Sequence, residues 1–456
     1  MKKRTILAVF SAAVLLTACG QTDPVNTAPE ENGYPTENME VSMEELGSGQ
    51  SATVSAKSGE IDSGDLFTER DLQQTPDLSE AQYLTISDGE DLTIDTEGIY
   101  VLSGNAQNAT VLVEAEDNAK VQLVLDGLKI SNTDRPCIYV KNADKVFLTT
   151  ISEDNALTVS GSFSSDGDTN TDAVIFSKDD LVLNGTGRLV IRSSDNGISG
   201  KDAVKVTGGT IEIECSGNGI EAHDGILAAD GSLDITTEQD GLHAEDNDDD
   251  TKGYVYIAGG SINIEASDDG IHATTFVQIE EGDITLTAAE GIEGTQIAVN
   301  GGTIDITASD DGINAAKKSS SADPVFELNG GEVSITMGAG DTDGVDSNGD
   351  IRINGGTICI TGQSTFDYDG KAEYNGGTIL ENGKETNTIT NQMFGGPGGR
   401  GGMGAQGGFG GPGNRPERMQ GFDGNIPEGR PERMPGGDGR MPEGRPETDS
   451  TGIEKQ

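Results

Sequence analysis

The chain has 456 residues and a formal net charge of −50, with no basic stripe to offset it. A nucleic acid is excluded as partner because its phosphate backbone would repel such a protein, so cationic partners are the natural complement. Glycine occurs 66 times and tryptophan is absent, which favours an all-β repeat fold with many tight turns over two or three ordinary domains.

The N-terminus has the pattern of a targeting signal, predicted to span residues 1–18. Basic residues at positions 2–4 precede an apolar run from Ile6 to Leu16, which is too short for an ordinary membrane span. The run ends in LTAC, residues 16–19, which resembles the lipobox of bacterial lipoproteins. This resemblance implies lipidation of Cys19 and an extracytoplasmic protein that is lipid-anchored to the bacterial cell membrane. A secretory peptide with an incidental cysteine is the alternative.

Low-complexity segments flank the middle of the chain. Residues 19–65 are rich in Glu, Ser, Thr and Gly, and they cannot bury enough apolar surface to offset chain entropy, which predicts a disordered tether. Residues 393–456 are rich in Gly, Pro, Met and Arg, which predicts a disordered tail. From position 394 that tail carries eight basic and nine acidic residues, so the acidity belongs to the chain before it.

The middle segment, 66–392, is built from repeats. A motif similar to Asp/Asn-Gly-Ile recurs with its glycine at positions 197, 219, 241, 270, 291, 312 and 344. Between the motifs lie Gly-Gly pairs followed by runs such as TIDIT, which alternate every two residues and therefore predict strands. A unit of about 21 residues suits one coil of a right-handed parallel β-helix. Propeller blades need about twice that length, and a sandwich would not hold so regular a period.

Two further features concern the faces and the ends of this solenoid. The insertions DNDDDTK (246–252) and KKSSSADP (317–324) lengthen individual units, and insertions in a solenoid collect on one face that is often used for binding. Residues 66–120 are expected to cap the open end, because an open end exposes strand edges.

Stacked coils would align the acidic residues of the motif in one column. In SDDGIHA, 267–273, we expect a glycine bend to turn the carboxylates outward while Ile271 points inward. Equivalent residues would lie about 4.8 Å apart, where unit charges repel by about 0.9 kcal/mol in water and about 3.5 kcal/mol at an effective dielectric of about 20. Over several coils this repulsion is comparable with the whole stability of a domain, ~5–15 kcal/mol, so a cation should neutralise the column.

Ca²⁺ suits such a column because its ligands are hard oxygens. A solvated row of turn residues is the alternative, since Asp and Asn favour turns. The predicted calcium ligands are Asp240, Asp268, Asp269, Glu290, Glu293, Asp310, Asp311, Asp343 and Asp346.

Two histidines, His243 and His272, occupy the same motif position in successive coils. As zinc ligands they would need a third partner, which the sequence does not single out. We therefore interpret them as outward polar residues beside the acids.

Five stretches resemble, in order, secreted carbohydrate-binding β-helix proteins of anaerobic bacteria. They are LFTERDL (66–72), VQLVLDGLKISN (121–132), CIYVKNADKVFLTT (137–150), AEGIEGTQIAVNGGTIDITASDDGINAA (289–316) and DYDGKAEYNGGTI (367–379). The resemblance implies binding of cellulose or pectin-type polyuronates, bound calcium, and a fold similar to that of calcium-dependent pectate lyases. It does not assign the residues that contact the sugar.

The predicted function is therefore polysaccharide binding by a monomer, with Ca²⁺ as cofactor and without catalysis. A uronate carboxylate bridged through protein-held Ca²⁺ needs no aromatic platform, which fits the lack of tryptophan. A surface scaffold or adhesin without sugar affinity is one alternative.

A calcium-dependent polyuronate lyase is the other alternative. The resemblance to pectate lyases implies a Lys or Arg base that removes the proton α to the sugar carboxylate, while Ca²⁺ acidifies that proton. DTDGVDSN (341–348) resembles their Asp-rich calcium signature, and Lys201, Lys205 and Arg352 are the candidate bases. Lys205 alternates with inward valines, which is also typical of a plain solvated strand residue.

Overall fold

The computed structural model describes residues 66–246, 249–339 and 342–392, and every regular element in them is a strand. The predicted signal peptide with Cys19, the tether and the tail from 393 onward lie outside these residues. Within the described part of the chain, no helix has the length and hydropathy to span a membrane.

The described residues form 34 strands, numbered here in chain order. Their bounds are β1 Gln82–Thr85, β2 Leu92–Ile94, β3 Gly98–Gln107, β4 Val111–Glu114, β5 Lys120–Asn132, β6 Ile138–Asn142, β7 Lys145–Thr150, β8 Asn155–Val159, β9 Ala173–Ser177, β10 Asp180–Gly185, β11 Arg188–Ser193, β12 Asn196–Gly200, β13 Ala203–Val206, β14 Thr210–Cys215, β15 Ile220–Ala222, β16 Gly225–Ala228, β17 Ser232–Thr237, β18 Leu242–Ala244, β19 Tyr254–Ile257, β20 Ser261–Glu265, β21 Asp269–Ile279, β22 Asp283–Ala288, β23 Glu290–Val299, β24 Thr303–Ala308, β25 Ile313–Ala315, β26 Val325–Leu328, β27 Glu332–Met337, β28 Asp343–Ser347, β29 Asp350–Ile353, β30 Thr357–Thr361, β31 Ser364–Tyr368, β32 Ala372–Tyr374, β33 Thr378–Glu381 and β34 Lys384–Thr386.

The strands pile up in three ladders of parallel pairs. The first ladder runs through β1, β3, β5, β7, β10, β13, β16, β19, the ends of β21 and β23, β26, β29 and β32. The second runs through β2, β4, β6, β9, β12, β15, β18, the beginnings of β21 and β23, β25, β28 and β31. The third runs through the ends of β3 and β5, then β8, β11, β14, β17, β20, β22, β24, β27, β30 and β33.

This topology is that of a solenoid, because each strand pairs with its equivalent in the next turn of the chain. Among the described strands, only β33 and β34 pair antiparallel. The predicted all-β class and a long, mainly parallel sheet are confirmed, and the right-handed winding stays a prediction.

The core fills the space between the three ladders. In the second ladder one fully buried aliphatic or aromatic side chain per coil stacks on its equivalent, in the row Ile198, Ile220, Leu242, Ile271, Ile292, Ile313, Val345 and Phe366. Burial of such a side chain stabilises the fold by about 1.5–3 kcal/mol, so the alternating pattern fixes which residues face inward. The inward position predicted for Ile271 is correct.

The motif glycines are needed because successive coils approach each other closely there, and not because the chain bends. Gly291 does not have a left-handed φ, yet a Cβ built on it would lie 2.3 Å from the carbonyl oxygen of Gly312 and 2.5 Å from Ile306 Cγ2. The expected glycine bend is therefore wrong: the chain is extended here, and glycine is required because successive coils touch. The Gly-Gly turns differ, since Gly302 has φ 83° and Gly331 has φ 76°, which side chains disfavour.

The N-terminal strap, residues 66–74, lies along the outer face of the first ladder. Asp71 is fully buried there, with Lys145 Nζ at 3.4 Å and Lys205 Nζ at 3.3 Å, and Phe67 packs on Tyr256 with ring centroids 6.3 Å apart. These partners belong to β7, β13 and β19, in the middle of the ladder, so this part of the expected 66–120 cap does not cover an end. The charges of two lysines draw the strap to this face.

Candidate functional site

The outer face of the second ladder carries one polar residue per coil. Because side chains alternate along a strand, the residue after each buried apolar position points away from the core. Register pairs align these residues in the row Ser199, Glu221, His243, His272, Glu293, Asn314, Asp346 and Asp367. The sequence pattern therefore predicted correctly which residues of successive coils are aligned from Ser199 to Asp346.

A second row, beside the first, ties neighbouring coils together. Side-chain oxygens in this row accept a hydrogen bond from the backbone N–H of the equivalent residue in the next coil. The bonds are Asn218 N to Asn196 Oδ1 at 2.7 Å, Asp240 N to Asn218 Oδ1 at 3.2 Å, Asp269 N to Asp240 Oδ1 at 2.9 Å and Asp343 N to Asp311 Oδ1 at 3.0 Å. One oxygen each of Asp240 and Asp311 thus accepts a backbone N–H, as expected if these acids form a solvated row of turn residues.

The histidine segment of the column comprises Asp240, His243, Asp269, His272 and Glu293. His243 Nδ1 lies 2.6 Å from Asp240 Oδ2, while His272 Nδ1 lies 2.9 Å from both Asp269 Oδ2 and Glu293 Oε2. The two imidazole rings stack with centroids 4.8 Å apart and an interplanar angle of 18°. Their side chains are only 18% and 13% exposed. Both histidines thus lie on the outer face beside the acids, as expected, but carboxylates hold them and their side chains are mostly buried.

Charges inside the histidine segment compensate one another. Burial lowers the pKa of His272, but hydrogen bonds to Asp269 and Glu293 outweigh it and raise that pKa above its ordinary value. Burial raises the pKa of Glu293, but His272 and Lys318 outweigh it and lower that pKa. Lys318 Nζ reaches Glu293 Oε1 at 2.7 Å. The segment therefore favours positive charge on His272 and negative charge on Glu293, whereas burial raises the pKa of Asp269 to about 6.

The acidic segment comprises Glu290, Asp310, Asp311, Asp343 and Asp346, where burial and then like charges raise pKa values. Burial, followed by the charge of Asp346 and its acidic neighbours, raises the pKa of Asp311 to about 7, although the backbone N–H of Asp343 opposes this. The pKa of Glu290 rises to about 8, mainly through burial, although an Asn314 amide offsets part of the effect. Burial and neighbouring acids also raise the pKa of Asp346 to about 6. A divalent cation would relieve this repulsion.

The predicted ligand residues fall into groups of different geometry. Ligand atoms of Asp240, Asp268 and Asp269 lie within 4.8 Å of one another. Asp268 and Asp310 are exposed, at the rim of the column. Asp343 Oδ1 accepts a hydrogen bond from the hydroxyl of Ser364.

Asp367 belongs to the same column, next to Asp346, and sequence reasoning missed it. The signal was present, since Asp367 follows Asp346 by 21 residues, about one repeat.

The two insertions meet on one side of the solenoid. Ser320 Oγ donates to Asp250 Oδ2 at 2.6 Å, and Ser321 Oγ donates to the backbone oxygen of Asp250 at 3.1 Å. The insertion at 317–324 also supplies Lys318 to the column. The expectation that insertions collect on one face is therefore correct for their described residues.

The three candidate bases all lie in polar contacts. Lys205 is buried under the strap, with Asp71 at 3.3 Å and the backbone oxygen of Leu66 at 2.6 Å, so its description as a plain solvated strand residue is wrong. Lys201 lies 3.6 Å from Glu221. Arg352 pairs with Glu327 and with Asp350.

A known protein family matches most of this fold. The family described as carbohydrate-binding domain-containing protein matches residues 88–341 and 288–392, together more than half of the chain. A protein of Acetivibrio thermocellus with the same description is 35% identical over 132 residues, which are 28% of this chain and 46% of that protein. The chain thus spans less than half the length of that relative.

One solved structure also aligns, that of the polysaccharide lyase-like protein from C. thermocellum in a gadolinium derivative. The alignment has a TM-score of 0.43 and 28% identity, and it covers 49% of this chain and 93% of that chain.

Proposed function

Since the chain belongs to the carbohydrate-binding domain-containing family, we propose that it binds a polysaccharide along its β-solenoid and does not catalyse a reaction on it. Family membership is the observation that carries this proposal. The fold supports it, because a stack of paired strands presents side chains at a fixed spacing and loses little conformational entropy on binding.

We propose Ca²⁺ as the bridge between protein and sugar. The acidic segment offers oxygen ligands only, and Ca²⁺ takes six to eight of these in flexible geometry. Asp310, Asp311, Asp343 and Asp346, whose charges act on one another, would hold the ion, and a uronate carboxylate would complete its shell. A bound cation would favour the ionised forms of Asp311 and Asp346, which burial and then like charges disfavour in its absence.

The contacts of two of the three candidate bases, Lys205 and Arg352, support a non-catalytic role. A base that abstracts a sugar proton needs an open approach and a lone pair. Lys205 lies beneath the strap beside Asp71, and Arg352 is held between two carboxylates. A lyase would instead form an unsaturated product that absorbs ultraviolet light, and polygalacturonate with Ca²⁺ is the substrate that tests for it.

We also propose an extracytoplasmic lipoprotein, anchored through Cys19 and monomeric, with residues 19–65 as tether. This placement would present the solenoid to polysaccharide outside the cell membrane. Radiolabelled fatty acid should label the wild-type chain in a bacterial host and not the Cys19→Ser variant.

Electrophoresis of the purified chain in gels containing polygalacturonate tests the binding proposal. We expect retardation with Ca²⁺ that EDTA abolishes, and a clear loss in the double variant Asp311→Asn, Asp346→Asn. Retardation in a soluble cellulose derivative, equal with and without Ca²⁺, would contradict the calcium bridge but keep carbohydrate binding. Unretarded migration in every polysaccharide gel would favour the scaffold alternative and overturn the proposal.

A further inference from the structure

The stacked pair His243 and His272 distinguishes one part of the column chemically from the rest. Both rings project from the same register position of β18 and β21, with centroids 4.8 Å apart. Aromatic stacking alone does not require carboxylates around both rings, yet Asp240, Asp269 and Glu293 contact their Nδ1 atoms at 2.6–2.9 Å. The segment therefore combines nitrogen donors with buried oxygens.

The fold brings a third zinc ligand, Asp240, next to the two histidines. One ligand atom each of Asp240, His243 and His272 lie within 4.8 Å of one another. Zinc binds histidine nitrogen at about 2.0–2.1 Å in tetrahedral geometry, so donors around one ion lie about 3.3 Å apart. A closure of at most about 1.5 Å, within reach of side-chain rotation, would complete this set.

The neighbouring carboxylates suit the role of orienting groups. Histidines that bind metals usually donate their second ring N–H to a carboxylate, which fixes the orientation of the ring. His272 Nδ1 lies 2.9 Å from Asp269 and Glu293, which leaves Nε2 on the opposite side of the ring. His243 Nδ1 lies 2.6 Å from Asp240 Oδ2, so this nitrogen would face the ion, and Glu245 Oε2, 3.3 Å from His243 Nε2, would orient that ring.

We propose that His243, His272 and Asp240 bind one Zn²⁺, with Asp269 and Glu293 as the groups that orient His272. Imidazole nitrogen favours zinc over calcium, whose ligands are oxygens. The column thus has a zinc segment next to the oxygen-only acidic segment. This proposal does not depend on calcium or sugar binding.

Calorimetric titration of ZnCl₂ into the purified, chelator-treated full chain tests the site. We expect stoichiometric binding that millimolar Ca²⁺ does not displace, and a loss of affinity of more than about 100-fold in the variant His243→Gln, His272→Gln. His223→Gln is the matched control, because the chain has three histidines and His223 Nε2 lies 3.1 Å from the Lys201 ammonium nitrogen. Unchanged zinc affinity in the double variant, or displacement of zinc by Ca²⁺, would overturn the proposal.

A spectroscopic measurement on the wild-type chain covers the case in which the double variant does not fold. Cu²⁺ is the probe, and its electron paramagnetic resonance spectrum should show hyperfine coupling to imidazole nitrogen. A spectrum with oxygen ligands alone would contradict the site. The variant Asp311→Asn, Asp346→Asn should keep zinc binding, so failure of the calcium proposal and failure of the zinc proposal are distinguishable.

Discussion

At the scale of single residues, equivalent positions in the column have different electrostatic surroundings. Glu293 has Lys318 and His272 as neighbours, and its pKa is lowered. Asp346, two coils further in the same row, is buried beside other acids, and its pKa is raised to about 6. The difference comes from which side chains the neighbouring coils and insertions supply, so equivalent positions in the repeat do not have identical chemistry.

Asp202, outside the column, offers a test of such like-charge crowding. Burial and the nearby carboxylates Asp224, Asp180 and Asp179 raise its pKa to about 6. The folded state then holds a proton that the unfolded chain, with a pKa of about 3.9, has already released. This contribution to stability is complete below about pH 4 and is lost as the pH rises through about 6.

We therefore expect Asp202→Asn to raise the melting temperature at pH 8 and to change it little at pH 4. Thermal unfolding followed by circular dichroism at both values measures the difference. Asp283→Asn, on the exposed face of the third ladder, is the control. A variant that is less stable at pH 8 than the wild type would contradict the argument.

At the scale of elements, the solenoid depends on contacts between coils and on the strap. The motif glycines let successive coils of the second ladder approach closely. The strap covers Lys145 and Lys205 of the first ladder. Each feature joins segments that the alternating pattern alone does not connect.

Gly291→Ala should destabilise the protein by about 1–3 kcal/mol, the usual range for overpacking. The new Cβ would meet the carbonyl of Gly312 at 2.3 Å, and backbone cannot move aside as a side chain can. Gly338→Ala is the matched control, because its Cβ would meet no atom nearer than 3.4 Å. Chemical denaturation of both variants gives the comparison, and equal stabilities would show that the coils can separate at low cost.

Asp71→Asn should destabilise the fold by about 3 kcal/mol, since removal of one partner from a buried ion pair leaves uncompensated charge. Here two lysines, Lys145 and Lys205, lose their shared carboxylate while the shape of the side chain is kept. Denaturant unfolding measures the change, with Asp77→Asn as the exposed control. A loss below about 0.5 kcal/mol would mean that the strap contributes little.

At the scale of the whole molecule, the three ladders present different outer faces. The first is partly covered by the strap, and the second carries the carboxylate and histidine column. The third exposes short polar side chains such as Thr285, Thr303 and Asp305. A polysaccharide that lies along the solenoid would thus meet surfaces of distinct chemistry.

Calcium should raise the melting temperature of the chelator-treated chain, because an ion bound only by the folded state stabilises it by about 2.7 kcal/mol at 100 times its dissociation constant. The double variant Asp311→Asn, Asp346→Asn should lose most of this increase. Differential scanning calorimetry with and without CaCl₂ measures it. An unchanged melting temperature of the wild type would remove calcium from the proposed function.

The sequence by itself determined the all-β class, the parallel pairing and the alignment of the polar column. These follow from short-range periodicity, because each coil repeats the same alternation and must stack on its neighbour to bury its apolar face. His272 and Glu293 are aligned for this reason, because one repeat of 21 residues separates them.

Only the tertiary structure decided which of these charges are compensated. Lys318 reaches Glu293 from an insertion, and Asp71 reaches Lys205 from a segment 134 residues earlier in the chain. Neither contact follows from the repeat, because insertions and the strap have no periodic partner. The distinction between the histidine segment and the acidic segment therefore arose from long-range folding, since electrostatic energy depends on distance in space rather than in sequence.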